Sequence, residues 1–325
     1  TKAPFGTVNG RGRNGQPSGS QDDTTHQMSS YDLYYPGWAS SPDHEFFGQD
    51  HSPAVAGEFV WTGFDYIGEP TPWGNANDPS RSSYFGIIDL AGFPKDRFYL
   101  YQAHWRPDYP MAHILPHWNW PDRAADPKAN PPKPALETPV HVYTSGDEAE
   151  LFLNGKSLGR KKKVFDTPND ARLNGQPAYR IRWDDVPYEP GELKVVAYKN
   201  GKEWATNTVK TAGSAKKMEL KPDRTTIARD GHDISYVTLR VTDKSGTMVP
   251  QANNLIHFTV SGPGEIVATD NGDATDLSAF SDKDRKAFNG LAMVIVRAKR
   301  GQRGSITVTA TSEGLGKATA KITPK

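Results

Sequence analysis

The densest chemistry in this sequence lies between residues 57 and 73, where Trp61, Phe64, Tyr66 and Trp73 are interleaved with the carboxylates Glu58, Asp65 and Glu69. A flat aromatic ring suits a sugar, whose C–H faces are apolar while its hydroxyls take hydrogen bonds. The same rings would also fill a core, and on pattern alone the two readings stand level. Paired carboxylates are what cleavage of a glycosidic bond needs, one as acid/base and one as nucleophile, about 5–5.5 Å apart for retention. Glu58 and Asp65 are too separated along one extended segment to form that pair, and Glu69 falls in a loop. Structural hydrogen bonding is the plainer role for all three.

His113, His117, Trp118 and Trp120 form a second cluster, HILPHWNW. Histidines four apart can ligate a metal from one helix face. Here Pro116 interrupts the spacing and the context reads extended, which argues against a metal. Asp270–Asp273 (DNGD), with Asp276 close by, resembles a calcium loop only loosely, because the twelve-residue pattern is missing. A polar turn is the default there. No glycine-rich phosphate loop follows a strand, no Gly-x-Ser-x-Gly elbow occurs, and no stripe of alternating basic and aromatic residues suggests RNA.

The elements that must position these residues change along the chain. Residues 1–30 have loop composition, rich in Gly, Ser, Asn and Asp. They read as a flexible terminus or as a long loop of a larger fold cut open upstream. Residues 55–66 (VAGEFVWTGFDY) are a short apolar-aromatic run bounded by glycine, which predicts a buried strand. Pro70, Pro72 and Gly74 then mark a loop. From Pro94 to Trp105 the period changes: Phe98, Tyr101, Gln102 and Trp105 recur at three- and four-residue spacing, which predicts a helix. Strand, loop and helix in that order fit the last unit of a repeating β/α fold.

Beyond residue 107 the pattern is β. Pro121 to Pro134 is a proline-rich connector. Short strands follow at Val140–Tyr143, Glu150–Leu153, Tyr179–Trp183 and Leu193–Tyr198, separated by the turn signals Asn154-Gly155, Pro190-Gly191 and Asn200-Gly201. That spacing predicts a β-sandwich of ~100 residues. Residues 213–217 (GSAKK) read as a linker. A second sandwich follows, with strands at Tyr236–Val241, Ile256–Val260, Leu291–Val296, Ser305–Thr311 and Ala318–Ile322.

Composition narrows the function classes. Zero cysteines exclude a disulfide scaffold and any thiolate-bound metal, and 39 basic against 38 acidic side chains argue against nucleic acid or an anionic membrane as partner. No apolar run approaches the ~20 residues of a membrane span. Of the 34 aromatic residues, 22 lie in residues 1–120, so the chemistry is expected there.

The residues themselves carry a resemblance. GEFVWTGFDYIGEPTPW (57–73), SSYFGIIDLAGFPKDRFYLYQAHW (82–105), HILPHWNWP (113–121) and QMSSYDLYYPGW (27–38) are similar to the end of the catalytic barrel in glycoside hydrolase family 2 β-galactosidases of gut Bacteroides-type bacteria. VHVYTSGDEAELFLNGKSLGRK (140–161) resembles the sandwich that follows that barrel, and NGDATDLSAFSDKDRKAFNGLAMVIVRA (271–298) with TVTATSEGL (307–315) resembles a further immunoglobulin-like domain. The fold this implies is mainly β. Residues 1–107 would be the C-terminal remnant of a (β/α)8 barrel, 108–214 a β-sandwich and 215–325 an immunoglobulin-like β-sandwich.

The resemblance implies that Trp61 lines the glycone subsite as a stacking platform and that the Trp61–Thr62 peptide is cis. Tyr84 and Phe85 would shape the pocket, with Asp65 and Trp73 beside them and His117 and Trp118 toward the aglycone. SSYFG (82–86) stands where β-glucuronidases carry an Asn-x-Lys pair for the sugar carboxylate, which points to a neutral sugar such as galactose. The family's acid/base glutamate follows an asparagine, and this chain has no Asn-Glu dipeptide. The nucleophile's Glu-Thr motif would fall at or before Thr1, while Glu137-Thr138 lies in the connector. Both catalytic carboxylates are therefore expected upstream of Thr1, leaving this chain inactive by itself. Its aromatic sheet edge would be held by the sandwiches, by a missing N-terminal part or by a homo-oligomer neighbour; a Trp61 strand with no partner strand would count against all of these. Many family members are cation-assisted, yet no ligand set here identifies a metal or cofactor site. The expected partner is a β-galactoside oligosaccharide or glycan, and the expected location periplasmic or secreted. The competing reading is a non-catalytic carbohydrate-binding or adhesive module of stacked immunoglobulin-like domains, which would have no need of the strand–loop–helix segment.

Overall fold

A computed structural model describes residues 21–22, 27–28, 31, 39–71, 73–74, 79–165 and 176–325. Residues 1–20, most of the 27–38 motif and Pro72 lie outside the described residues. The chain forms two compact units, one of residues 1–63 and 94–211, the other of residues 64–93 and 212–325. Mainly β structure is observed in both.

In the first unit, β1 (Gln21–Asp22) pairs antiparallel with β2 (Gln27–Met28), within the stretch read as loop. Helix α1 (Pro42–Asp50) follows, with proline in its first turn and Asp43 and Glu45 at the positive end of the dipole. Helix α2 (Asp96–Trp105) forms where the sequence predicts it. Its buried face is Leu100, Tyr101 and Ala103, so the stripe is rotated from the predicted one and Trp105 is left exposed.

The sandwich of this unit has two sheets. One has the order β3 (Ala112–Leu115), β4 (Val140–Thr144), β7 (Arg180–Trp183). The other is β6 (Lys156–Lys162), β5 (Glu148–Leu153), β8 (Glu192–Lys199), β9 (Lys202–Lys210). A short helix, α3 (Gln176–Tyr179), leads into β7. Every residue of β4 is buried, because one face meets the facing sheet while α2 packs against the strand. β5 alternates instead, with Ala149, Leu151 and Leu153 inward. The two-residue turns Asn154-Gly155 and Asn200-Gly201 both take positive φ, the backbone that a tight hairpin requires and Asn-Gly tolerates. Residues 121–134 form a connector with one 3-10 turn at Pro121–Arg123.

One buried imidazole in this core has a measurable consequence. His141 is fully buried; its Nδ1 lies 3.4 Å from Arg180 Nη1, and its ring centroid is 4.6 Å from that of Tyr31. Burial, then the charges of Arg180 and Arg182, hold its pKa well below the usual imidazole range. The unfolded chain therefore binds a proton that the folded chain refuses, so stability is lost as pH falls below about 6.5, by up to ~1.4 kcal/mol per pH unit. We expect His141→Asn to flatten this slope between pH 7 and 5 in urea unfolding. An unchanged slope would assign the acid sensitivity to other groups.

The second unit is built on β10 (Lys217–Pro222), β11 (Thr226–Ile227), β12 (Ile234–Thr242), β13 (Leu255–Ser261), β14 (Gly264–Asp270), β15 (Asp284–Lys286), β16 (Leu291–Ala298), β17 (Ile306–Ser312) and β18 (Gly316–Pro324). Its sheets run β10-β12-β16-β14 and β11-β18-β17-β13-β15. Inward residues at alternate positions (Val237, Leu239 and Val241; Val294 and Val296; Ile306, Val308 and Ala310) fill one core with Ile256, Phe258 and Ile322. All five strands predicted here form.

The strand predicted at 55–66 does not. Residues 55–63 form no strand, Phe59 and Trp61 are exposed, and among the described residues the pairing that follows is one parallel bridge, Phe64 to Ile88. The reason is cooperative: a strand needs neighbours to satisfy its backbone and cover its side chains. No neighbouring strand stands beside this segment among the described residues. No closed barrel occurs among the described residues.

Candidate functional site

The predicted site residues fall in both units. In the first, the Trp61–Thr62 peptide is cis, as expected, and Trp61 is 68% exposed. His117 stacks on Trp120 at 4.2 Å, and Trp120 Nε1 donates to the His117 carbonyl at 2.7 Å. Trp118 is fully buried: its Nε1 donates to the Glu189 carbonyl at 2.8 Å and its ring lies 5.0 Å from Tyr188. His113, on β3, has its Nε2 2.6 Å from Asp96 Oδ1 and stacks on Tyr99 at 3.8 Å, which ties α2 to the sheet. His113 and His117 thus have separate partners. No group of three or more His, Asp or Glu side chains is placed to hold a metal ion among the described residues.

In the second unit the structure brings four predicted residues close in one segment. Trp73 is buried edge-on against Tyr84, with ring centroids 4.8 Å apart. Phe85 is buried and lies 6.4 Å from the Tyr66 ring. Asp65 is buried, and its Oδ1 accepts the Gly86 N–H at 2.7 Å. That approach explains the glycine: a Cβ at position 86 would stand 2.1 Å from the Asp65 nitrogen. The Asp65 carboxylate therefore holds backbone in place, the structural role the sequence suggests. Glu69 accepts from the Tyr66 hydroxyl. Burial, with Asp273 and Asp65 nearby, pushes the Tyr84 phenol pKa up, so it stays protonated at neutral pH.

Chemically, this segment offers rings and a phenol O–H, the equipment for holding a polyhydroxylated ligand. Its one cation, Arg81, is engaged by the Ser278 carbonyl at 2.6 Å and the Phe280 ring at 4.6 Å. Sequence reading passes over Arg81 and over its support, Arg285. Neither belongs to a local motif, and only the DNGD signal near residue 270 marks the loop they share.

Residues 218–321 match Glycoside hydrolase family 2 C-terminal domain 5, and residues 136–205 match Domain of unknown function (DUF4982). Beta-galactosidase BoGH2A of Bacteroides ovatus is 42% identical over 301 residues, 92% of this chain and 32% of that protein. A putative beta-glucuronidase of Formosa agariphila is 33% identical over 260 residues, 80% of this chain and 23% of that protein. Among solved structures, a beta-glycosidase from Bacteroides vulgatus superposes with a TM-score of 0.77 at 30% identity, covering 91% of this chain and 34% of its own. A glycosyl hydrolase family 2 member from Bacteroides cellulosilyticus gives 0.71 at 31% identity, covering 86% and 37%. The chain thus spans about a third of the length of the first of these relatives.

Proposed function

Because this chain belongs to glycoside hydrolase family 2, as a β-galactosidase-type C-terminal portion, we propose that the intact protein hydrolyses terminal β-galactosides with retention. The observation that carries this is 42% identity to a named β-galactosidase across 92% of the chain. On this reading, residues 1–107 are the end of a catalytic (β/α)8 barrel. Trp61, Tyr84 and Phe85 border the glycone, with Asp65 and Trp73 supporting them. Both catalytic carboxylates lie outside this chain, which is inactive alone.

A relative named β-glucuronidase raises a second substrate, a uronic acid. A buried sugar carboxylate needs a cation. Residues 82–86 contain none, and Arg81 is committed to Ser278 and Phe280. A neutral sugar therefore fits better. The sugar partner, and a periplasmic or secreted location, follow from the same reading.

The test is hydrolysis of nitrophenyl β-galactoside and nitrophenyl β-glucuronide by this chain and by a version extended upstream. We expect β-galactoside turnover in the extended form alone. Turnover by this chain would overturn the placement of the carboxylates, and preference for the glucuronide would overturn the substrate.

A further inference from the structure

The DNGD motif has no part in the reaction proposed above, yet the structure gives it an occupation. Asp270 Oδ1 accepts from the Asn271 nitrogen at 2.7 Å. Asn271 Oδ1 accepts from the Asp273 nitrogen at 2.9 Å, and Asp273 Oδ1 accepts from the Thr275 nitrogen at 2.9 Å. Behind this turn lies Arg285, 1% exposed, whose guanidinium donates to Asp276 Oδ2 at 2.9 Å, the Ala279 carbonyl at 2.7 Å and the Thr269 carbonyl at 3.1 Å. A buried arginine that satisfies several acceptors at once fixes the loop around it. Residues 270–280 are therefore a rigid platform on the immunoglobulin-like domain.

What the platform holds is the segment that carries Tyr84 and Phe85. The Arg81 N–H and the Ser80 hydroxyl both donate to the Ala274 carbonyl, at 2.8 and 3.1 Å. The Arg81 side chain spans the Ser278 carbonyl and the Phe280 ring. On the far side of Tyr84, Asp89 presses so closely on Gly272 that a Cβ there would stand 2.1 Å from its carboxylate, and Gly272 sits at φ +78°. The pocket segment is thus gripped at both ends by one loop nearly 200 residues later in the chain. Residues 79–89 contain no helix or strand of their own, so this grip supplies the order that regular structure would otherwise give.

We infer that the immunoglobulin-like domain sets the shape of the sugar pocket through this clamp, with Arg81 as a positioning residue for substrate affinity. The inference rests on the reading of Tyr84 and Phe85 as pocket residues. It makes the C-terminal domain a part of the active-site architecture and not an appendage.

Two measurements on Arg81→Ala test it. In hydrogen–deuterium exchange on this chain, peptides covering 79–89 should exchange several times faster, while peptides in Gly316–Pro324 stay unchanged. In the upstream-extended enzyme, KM for nitrophenyl β-galactoside should rise about fivefold, the worth of one lost hydrogen bond, with kcat altered less than KM. Arg81→Lys, which keeps the charge over Phe280, should recover part of both effects. Unchanged exchange overturns the clamp, and faster exchange with unchanged KM overturns the positioning role. If the extended wild-type enzyme hydrolyses no β-galactoside, the functional reading fails, while the exchange measurement still decides the clamp.

Discussion

Replacing Asp43 by alanine is expected to lower the stability of this chain by about 3–5 kcal/mol, the usual loss when one member of a buried ion pair is removed. Asp43 on α1 and Arg180 on β7 are both fully buried, and Arg180 Nε donates to Asp43 Oδ1 at 2.8 Å, with a second bond from Nη2 to Oδ2. Arg180 Nη1 also donates to the Tyr31 carbonyl at 2.7 Å, and the guanidinium lies 5.1 Å from the centre of the Tyr143 ring. Without Asp43, a guanidinium is left in a site closed to water, and its desolvation is no longer offset. Asp43→Asn, which keeps the volume and one acceptor, should cost less than Asp43→Ala. The double change Asp43→Leu with Arg180→Met should cost less than the sum of the single changes, because it removes both charges together. Urea unfolding of these five variants, the two single changes of the cycle included, measures this. A loss below about 1 kcal/mol for Asp43→Ala would mean that water reaches the pair, as at an exposed salt bridge. The location makes the result informative. The pair joins the segment before the sandwich to the sandwich itself, alongside Tyr179, whose hydroxyl donates to Asp50 at 2.7 Å.

How legible this was in the sequence depended on whether the determining neighbours were local. Helix α2 and the inner strands could be read because alternation, proline and Asn-Gly each act within a few residues. Strand β6 was missed because it is an edge strand, lysine-rich and exposed nearly throughout, so no apolar alternation marks it. Strand β14 was hidden by the shift in register between Ile266 and Ala268, which breaks the period. The run at 55–66 misled in the opposite way. Its composition asks for burial, and whether burial is available is decided by elements beyond the segment. Among the site residues, the structural role of Asp65 was legible, whereas the engagement of Arg81 by residues 274–280 was not. Nothing in a window of ten residues indicates a partner so far along the chain.

Trp61 is the residue whose replacement is expected to change the reaction most. An indole 68% exposed, beside a fully exposed Phe59, contributes little to the stability of this chain, so Trp61→Ala should leave its thermal unfolding nearly unchanged. In the upstream-extended enzyme the same change should lower kcat/KM for nitrophenyl β-galactoside by about tenfold to a hundredfold. That corresponds to about 1.5–3 kcal/mol for one large apolar side chain covered on binding. On the proposed reading, a pyranose presents its C–H face to the ring, and water leaves both surfaces as they meet. Trp61→Phe should retain part of the rate, because a smaller ring covers less of the same face. The pairing of the two measurements separates the roles. A large loss of stability in the extended enzyme with unchanged kcat/KM would make the ring part of a core. A loss of kcat/KM with stability intact makes it a surface for the sugar. With thermal unfolding unchanged and kcat/KM lowered, the effect of Trp61 on the reaction is separated from any effect on folding.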